Sequence, residues 1–151
     1  LLWQGNVTWS QNRIRNFTEK LVEYEDYSIV TKDLGTTDIA YSPSVIAGNT
    51  ITYSLGKLEA SLLSKYVGKQ YLDNTSNDSR ALAAYMTQDV RLGYAFTSKI
   101  RATLLLNNVL NNLYSSNGYT YSYLYQGYLT TENFQYPQAG FNFLLGLSIR
   151  L

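Results

Sequence analysis

Pro137-Gln138-Ala139-Gly140-Phe141-Asn142-Phe143-Leu144-Leu145-Gly146-Leu147-Ser148-Ile149-Arg150-Leu151 is the last stretch of the chain. From Phe141 onward the odd positions read Phe, Phe, Leu, Leu, Ile, Leu, and the even positions read Asn142, Leu144, Gly146, Ser148 and Arg150. Successive side chains of an extended strand point to opposite faces, so this segment has one apolar face and one that is mostly small or polar. A soluble sandwich would bury the apolar face against a core. In an outer-membrane barrel that face meets lipid, the other meets a wet lumen, and about 9–11 tilted residues cross the bilayer. The choice turns on whether the other strands alternate in the same way.

Five further segments do. Going back along the chain, Ile100, Ala102, Leu104 and Leu106 oppose Arg101, Thr103, Leu105 and Asn107. In Ala84–Thr97, Met86, Val90, Leu92, Tyr94 and Phe96 oppose Tyr85, Thr87, Asp89, Arg91 and Gly93. In Leu58–Tyr71, Leu58, Ala60, Leu62 and Tyr66 share one face, with Glu59, Ser61, Lys65 and Lys69 among those on the other. Val45–Leu55 sets Ile51, Tyr53 and Leu55 against Thr50, Thr52 and Ser54, and the first segment carries Trp3, Val7 and Trp9 on one phase. The pattern predicts six strands. Charges within them (Glu59, Lys65, Asp89, Arg91, Arg101 and Arg150) all take the polar phase, and only Arg13, at a strand end, departs from it.

The connections alternate in length. A long one (11–43) is followed by the two-residue turn Gly56-Lys57, a polar loop (72–83), a short link (97–99) and a second long excursion (108–137). Short turns at one end and longer loops at the other characterise outer-membrane barrels, whereas a sandwich has no reason to sort its loops this way. In the first long connection, Lys20–Val30 and Thr37–Tyr41 alternate weakly and read as a loop or as strand extensions beyond a membrane. Placed inside the membrane they would allow an eight-strand barrel to close alone, but Glu23, Glu25 and Asp26 weigh against it.

Composition narrows the chemistry. The 151 residues suffice for one domain, and 12 basic against 11 acidic residues leave no nucleic-acid footprint. Cys and His are both absent, which removes disulfides, the usual zinc ligands, a thiol nucleophile and the commonest general base. No cofactor motif is present, and the paired carboxylates Glu23/Glu25 and Asp73/Asp78 read as solvated loop charges, so an enzyme is not expected. Tyr supplies 15 residues, more than Trp and Phe together, which suits a boundary between lipid and water. There is no apolar run of about 18 residues to form a membrane helix. The chain starts at Leu1-Leu2-Trp3 inside a strand pattern, so it is expected to be processed, trimmed or cut from something longer.

Asn107-Asn108-Val109-Leu110-Asn111-Asn112-Leu113-Tyr114, Ser116-Asn117-Gly118-Tyr119 and Tyr136-Pro137-Gln138-Ala139-Gly140-Phe141-Asn142-Phe143 resemble the C-terminal end of TonB-dependent receptors, the plugged outer-membrane transporters, in their Bacteroidetes form. Tyr41-Ser42-Pro43 and Lys65-Tyr66-Val67-Gly68-Lys69-Gln70-Tyr71 are similar to that family's late strands. The resemblance implies that residues 1–151 are an all-β, antiparallel transmembrane segment, the C-terminal part of a barrel of about 22 strands, without the plug or the TonB-binding segment. Its implied place is the bacterial outer membrane, as a multi-pass wall for uptake of a siderophore, cobalamin, glycan or peptide. Implied partners are lipid, the remaining barrel and plug, the barrel-assembly machinery, TonB through parts outside this sequence, and a surface lipoprotein. Phe143, Gly146, Ile149 and Leu151 resemble the signal read by the assembly machinery, although the family usually ends in an aromatic residue.

Two sets of residues are candidates for contact with a substrate. Tyr119, Tyr121, Tyr123 and Tyr125 share one phase and could stiffen a tall hairpin as part of an aromatic girdle, or offer a flat ligand surface at an extracellular mouth. Asp89, Arg91 and Arg101 are expected to face the lumen, lining a substrate path or forming a polar ladder across strands. Two rivals remain at this stage: a small self-contained outer-membrane barrel with a structural or adhesive role, and a soluble Tyr-rich sandwich that binds carbohydrate.

Overall fold

The structure, a computed structural model, describes residues 1–151. Six strands form one antiparallel sheet: β1 (Leu2–Trp9), β4 (Val45–Leu55), β5 (Leu58–Val67), β8 (Tyr85–Ala95), β9 (Ile100–Asn107) and β12 (Asn142–Ile149). They lie side by side in chain order, so every connection joins neighbours. β2 (Arg13–Val22) and β3 (Ile29–Asp38) form a hairpin within the first long connection. β6 (Gln70–Tyr71) and β7 (Ala81–Leu82) form a short one within the polar loop, and β10 (Ser115–Tyr125) and β11 (Tyr128–Pro137) form a third within the last connection. All three hairpins rise from the same end of the sheet, while the turns at 56–57 and 97–99 close the other end.

The register carries the predicted phases across all six strands. Trp3 lies opposite Ile51, Ile51 opposite Leu62, Leu62 opposite Val90, and Val90 opposite Leu106, which lies opposite Phe143. Directly opposed residues share a face, so the apolar residues of separate strands merge into one surface. On the other face Glu59 lies opposite Gly93, and Gly93 opposite Thr103. The two-residue turn works as the sequence predicts: Gly56 takes φ +58, the positive value that Gly adopts without strain.

Burial is distributed unlike that of a soluble domain. Only 13 residues are buried, and the four buried hydrophobics are Leu21, Val67, Leu72 and Leu82. Three of those four lie on the hairpins rather than in the six-stranded sheet. The apolar face of the sheet is open, with Trp3, Leu55, Phe143, Leu145, Leu147 and Ile149 all exposed. An apolar surface running across six strands is far larger than the patches a soluble monomer tolerates. No second sheet covers it, which removes the sandwich reading.

One expectation needs correction. The third strand ends at Val67, not Tyr71, because Gly68 N–H donates the last ladder bond to the Val45 carbonyl (2.8 Å) and β4 offers no partner beyond it. Residues 70–71 pair with 81–82 instead. The weakly alternating parts of the first connection form the β2–β3 hairpin, outside the six-stranded sheet, so eight strands do not close. β1 and β12 are the edges of an open sheet, and every residue of both is exposed.

Candidate functional site: a platform of three hairpins

The hairpins are joined by a charge that the surrounding polar sequence hides. Arg80 ends a single 3₁₀ turn (Asp78–Arg80) capped by the Asn77 side chain, and its own side chain is only 3% exposed. Its Nη1 donates to Glu19 Oε1 on β2 at 2.6 Å and to Asp73 Oδ2 at 2.9 Å. Nη2 reaches Thr131 Oγ1 on β11 at 3.4 Å. Burial works against the guanidinium charge, but the hydrogen bonds to Glu19 and Asp73 outweigh it and hold the pKa above its usual value. One cation thus ties all three hairpins together. Asp73 is therefore not a free loop charge, as the sequence alone suggests, but half of this anchor.

Small apolar and polar contacts complete the platform. Leu72 and Leu82 are buried beside the anchor, and Gly118 on β10 sits so close that an added Cβ would lie 2.4 Å from the Phe134 carbonyl and 3.2 Å from Leu72. Tyr41 Oη donates to the Gly118 carbonyl at 2.6 Å. At the far ends of the hairpins Tyr24 N–H donates to the Leu124 carbonyl (2.8 Å), and Gly127 N–H donates to Glu23 Oε2 (3.0 Å). Asn108, buried at the root of the last connection, donates through Nδ2 to the Asn112 and Ala139 carbonyls, while its own backbone N–H donates to Asp89.

The platform presents a ladder of aromatic rings. β10 and β11 meet at Gln126-Gly127, both at positive φ, which gives the type I′ turn whose twist matches paired strands. The register places Tyr119 opposite Phe134, Tyr121 opposite Glu132 and Tyr125 opposite Tyr128. Tyr119 and Phe134 stack at 4.8 Å between centroids, Tyr121 stands 6.2 Å from Phe134, and Tyr136 stands 6.3 Å from Tyr119. Tyr24 extends the row from the neighbouring hairpin, 5.8 Å from Tyr123. The four tyrosines singled out from sequence are therefore brought together, with Phe134, Tyr136 and Tyr24 as members that sequence reasoning missed. Their period-two spacing after Gly127 could have placed the first two. The contact with Tyr24 depends on how two hairpins dock, which local pattern does not encode.

On the polar face of the sheet, Arg101 Nη2 meets Glu59 Oε1 at 3.2 Å. The pair bridges β9 to β5 across the intervening β8, passing over Gly93, where a Cβ would fall 2.8 Å from Nη2. Asp89 is occupied by Asn108, and Arg91 makes no ion pair. Of the four residues resembling an assembly signal, Phe143, Gly146 and Ile149 pair with Leu106, Thr103 and Ile100, and Leu151 lies beyond the last strand. Gly146 has room for a Cβ, whose nearest neighbour would be the Thr103 carbonyl at 3.9 Å, so packing does not explain that glycine.

The same architecture occurs in solved structures. The siderophore receptor PiuA from Acinetobacter baumannii superposes with TM-score 0.69 over 86% of this chain at 15% identity. The chain has the fold of a stretch of β-barrel wall. The ferric-catecholate import receptor Fiu from E. coli K12 (TM-score 0.58, 91% of this chain, 15% identity) and the ferric yersiniabactin uptake receptor FyuA from Yersinia pestis (0.57, 80%, 18%) share it. This segment of wall spans 17%, 24% and 20% of the PiuA, Fiu and FyuA chains respectively. No protein-family model matches the sequence, and no curated protein does.

Proposed function

We propose that residues 1–151 are the C-terminal part of the barrel of a TonB-dependent outer-membrane receptor, which takes up a siderophore or another scarce nutrient. The observation that carries this reading is the pairing of one continuous, uncovered apolar face with three hairpins, two of them long, at a single end. Lipid is the medium that such a face requires, and the polar face then borders the lumen. The open edges at β1 and β12 support it as well, since unpaired backbone groups in lipid each cost several kcal/mol and need strands from the rest of the barrel. The role is one of binding and passage, not catalysis. Tyr119, Tyr121, Tyr123 and Tyr125 contact the ligand at the extracellular mouth, and Arg91 borders the passage within. Plug, TonB, assembly machinery and any surface lipoprotein engage the complete receptor.

The mass of the native protein tests this directly. Outer-membrane fractions probed with an antibody against the Tyr119–Pro137 hairpin should give a heat-modifiable band several times larger than the 17.1 kDa of this chain. A native product near 17 kDa sinks the large-barrel reading, and extraction without detergent sinks the membrane one.

A further inference from the structure

The aromatic face holds a single charge. Between Ser115 and Pro137 there is no Lys or Arg, and Glu132 is the only charged residue. It stands opposite Tyr121, so alternation puts it on the face that also bears Tyr119, Tyr123, Phe134 and Tyr136. Glu132 is exposed and takes part in none of the ion pairs. Its carboxylate accepts no hydrogen bond, and Thr120 Oγ1 donates to its backbone carbonyl at 3.2 Å. Desolvation, then the Glu132 charge, push the Tyr121 phenol above its usual pKa and keep that ring neutral.

The ring geometry leaves room for a ligand. The Phe134 ring lies 11° from parallel to both Tyr119 and Tyr121, with centroids 4.8 and 6.2 Å away. At those separations the rings are offset, and part of each face stays open. Tyr121 is 50% exposed. Ring faces and a carboxylate both attract positive charge, and no cation of this chain occupies the spot. The hairpin is also held from behind by the Arg80 anchor and by the packing of Gly118 on Leu72, so the face exists before any ligand arrives.

We propose that this face binds an organic cation, an ammonium or guanidinium group of the ligand, seated on Tyr121 and its neighbours with Glu132 as counterion. The inference rests on the reading of this hairpin as a ligand-contacting surface and adds the charge of the ligand to it. A neutral sugar or an anionic chelate would leave Glu132 without a partner, and an anion would meet it as repulsion.

Choline and its neutral isostere 3,3-dimethylbutan-1-ol separate the possibilities, titrated into the intact native protein, extracted from outer membranes into maltoside micelles, with Tyr fluorescence and ligand methyl NMR as readouts. Choline should bind about tenfold more tightly than the isostere, with its methyl signal shifted upfield by the rings. Glu132→Gln and Tyr121→Leu should each erase most of that preference, whereas Tyr121→Phe should keep it. Equal binding of the two probes, binding of neither, or a preference untouched by Glu132→Gln overturns the proposal. Heat-modifiability of the same samples reports on the barrel reading independently, so failure of one is not mistaken for failure of the other.

Discussion

Leu145 and Ser148 lie three residues apart on β12 and face opposite ways, Leu145 beside Leu104 and Ser148 beside Arg101. Arginine at a lipid-facing position near mid-membrane costs about 2–4 kcal/mol, and far less where it meets water. Leu145→Arg should therefore lower the urea midpoint in lipid vesicles strongly and Ser148→Arg only slightly; equal losses would mean that the faces are reversed. Two glycines give a similar contrast. Gly118→Ala drives a methyl into the Phe134 backbone, which cannot move aside without shifting the hairpin, and overpacking of this kind costs about 1–3 kcal/mol. At Gly93 the obstacle is the end of the flexible Arg101 side chain, so Gly93→Ala should break the Glu59 pair at little cost, because exposed pairs contribute under about 1 kcal/mol. Comparative thermal scans of the two variants check this. At this scale the phase of each residue was readable from alternation alone. Arg80 was not: it lies in an unbroken polar run, and only docking of three hairpins reveals it as buried.

The hairpins are the elements that local pattern left least defined. Asn107–Pro137 reads from sequence as a long excursion with Tyr119, Tyr121, Tyr123 and Tyr125 on one phase, and its strand pairing and turn are not legible there. The structure pairs it as β10–β11 through a type I′ turn. The short β6–β7 hairpin is held by Lys69 Nζ on Asp78 Oδ1 at 2.6 Å, with Tyr71 Oη on the same oxygen at 3.1 Å. The Lys69 hydrogen bond, then that of Tyr71, lowers the Asp78 pKa below its ordinary 3.8. The Asp78 hydrogen bond, then that of Tyr71, raises Lys69 above its ordinary 10.5. The Asp78 contribution is present above 3.8 and lost as pH falls through the folded value, and the Lys69 contribution is present below 10.5 and lost as pH rises through its folded value. Protection of the Ser79 and Arg80 amides, measured against their intrinsic exchange rates, should therefore fall at both extremes. Asp78→Asn should flatten the acid limb, and salt should weaken the whole effect because both groups are exposed.

For the whole molecule, the open edges decide behaviour. β12 pairs with β9 on one side only, so its other row of backbone groups is unpaired within this sheet. Removing Ile149–Leu151 shortens that edge and deletes part of the stretch that resembles an assembly signal. The expected outcome is loss of the heat-modifiable form from the outer membrane; a normal barrel after the deletion would remove the assembly role. Six strands, their two faces and the end that bears the long loops were all determined by the sequence, because period-two alternation and turn chemistry act within a few residues of each position. The tertiary structure alone decided where the third strand stops, and that Arg80 gathers three hairpins beneath an aromatic face. Those features arise from contacts between residues tens of positions apart, such as Arg80 with Glu19 and Tyr24 with Tyr123, and no local pattern specifies which of the available partners will meet.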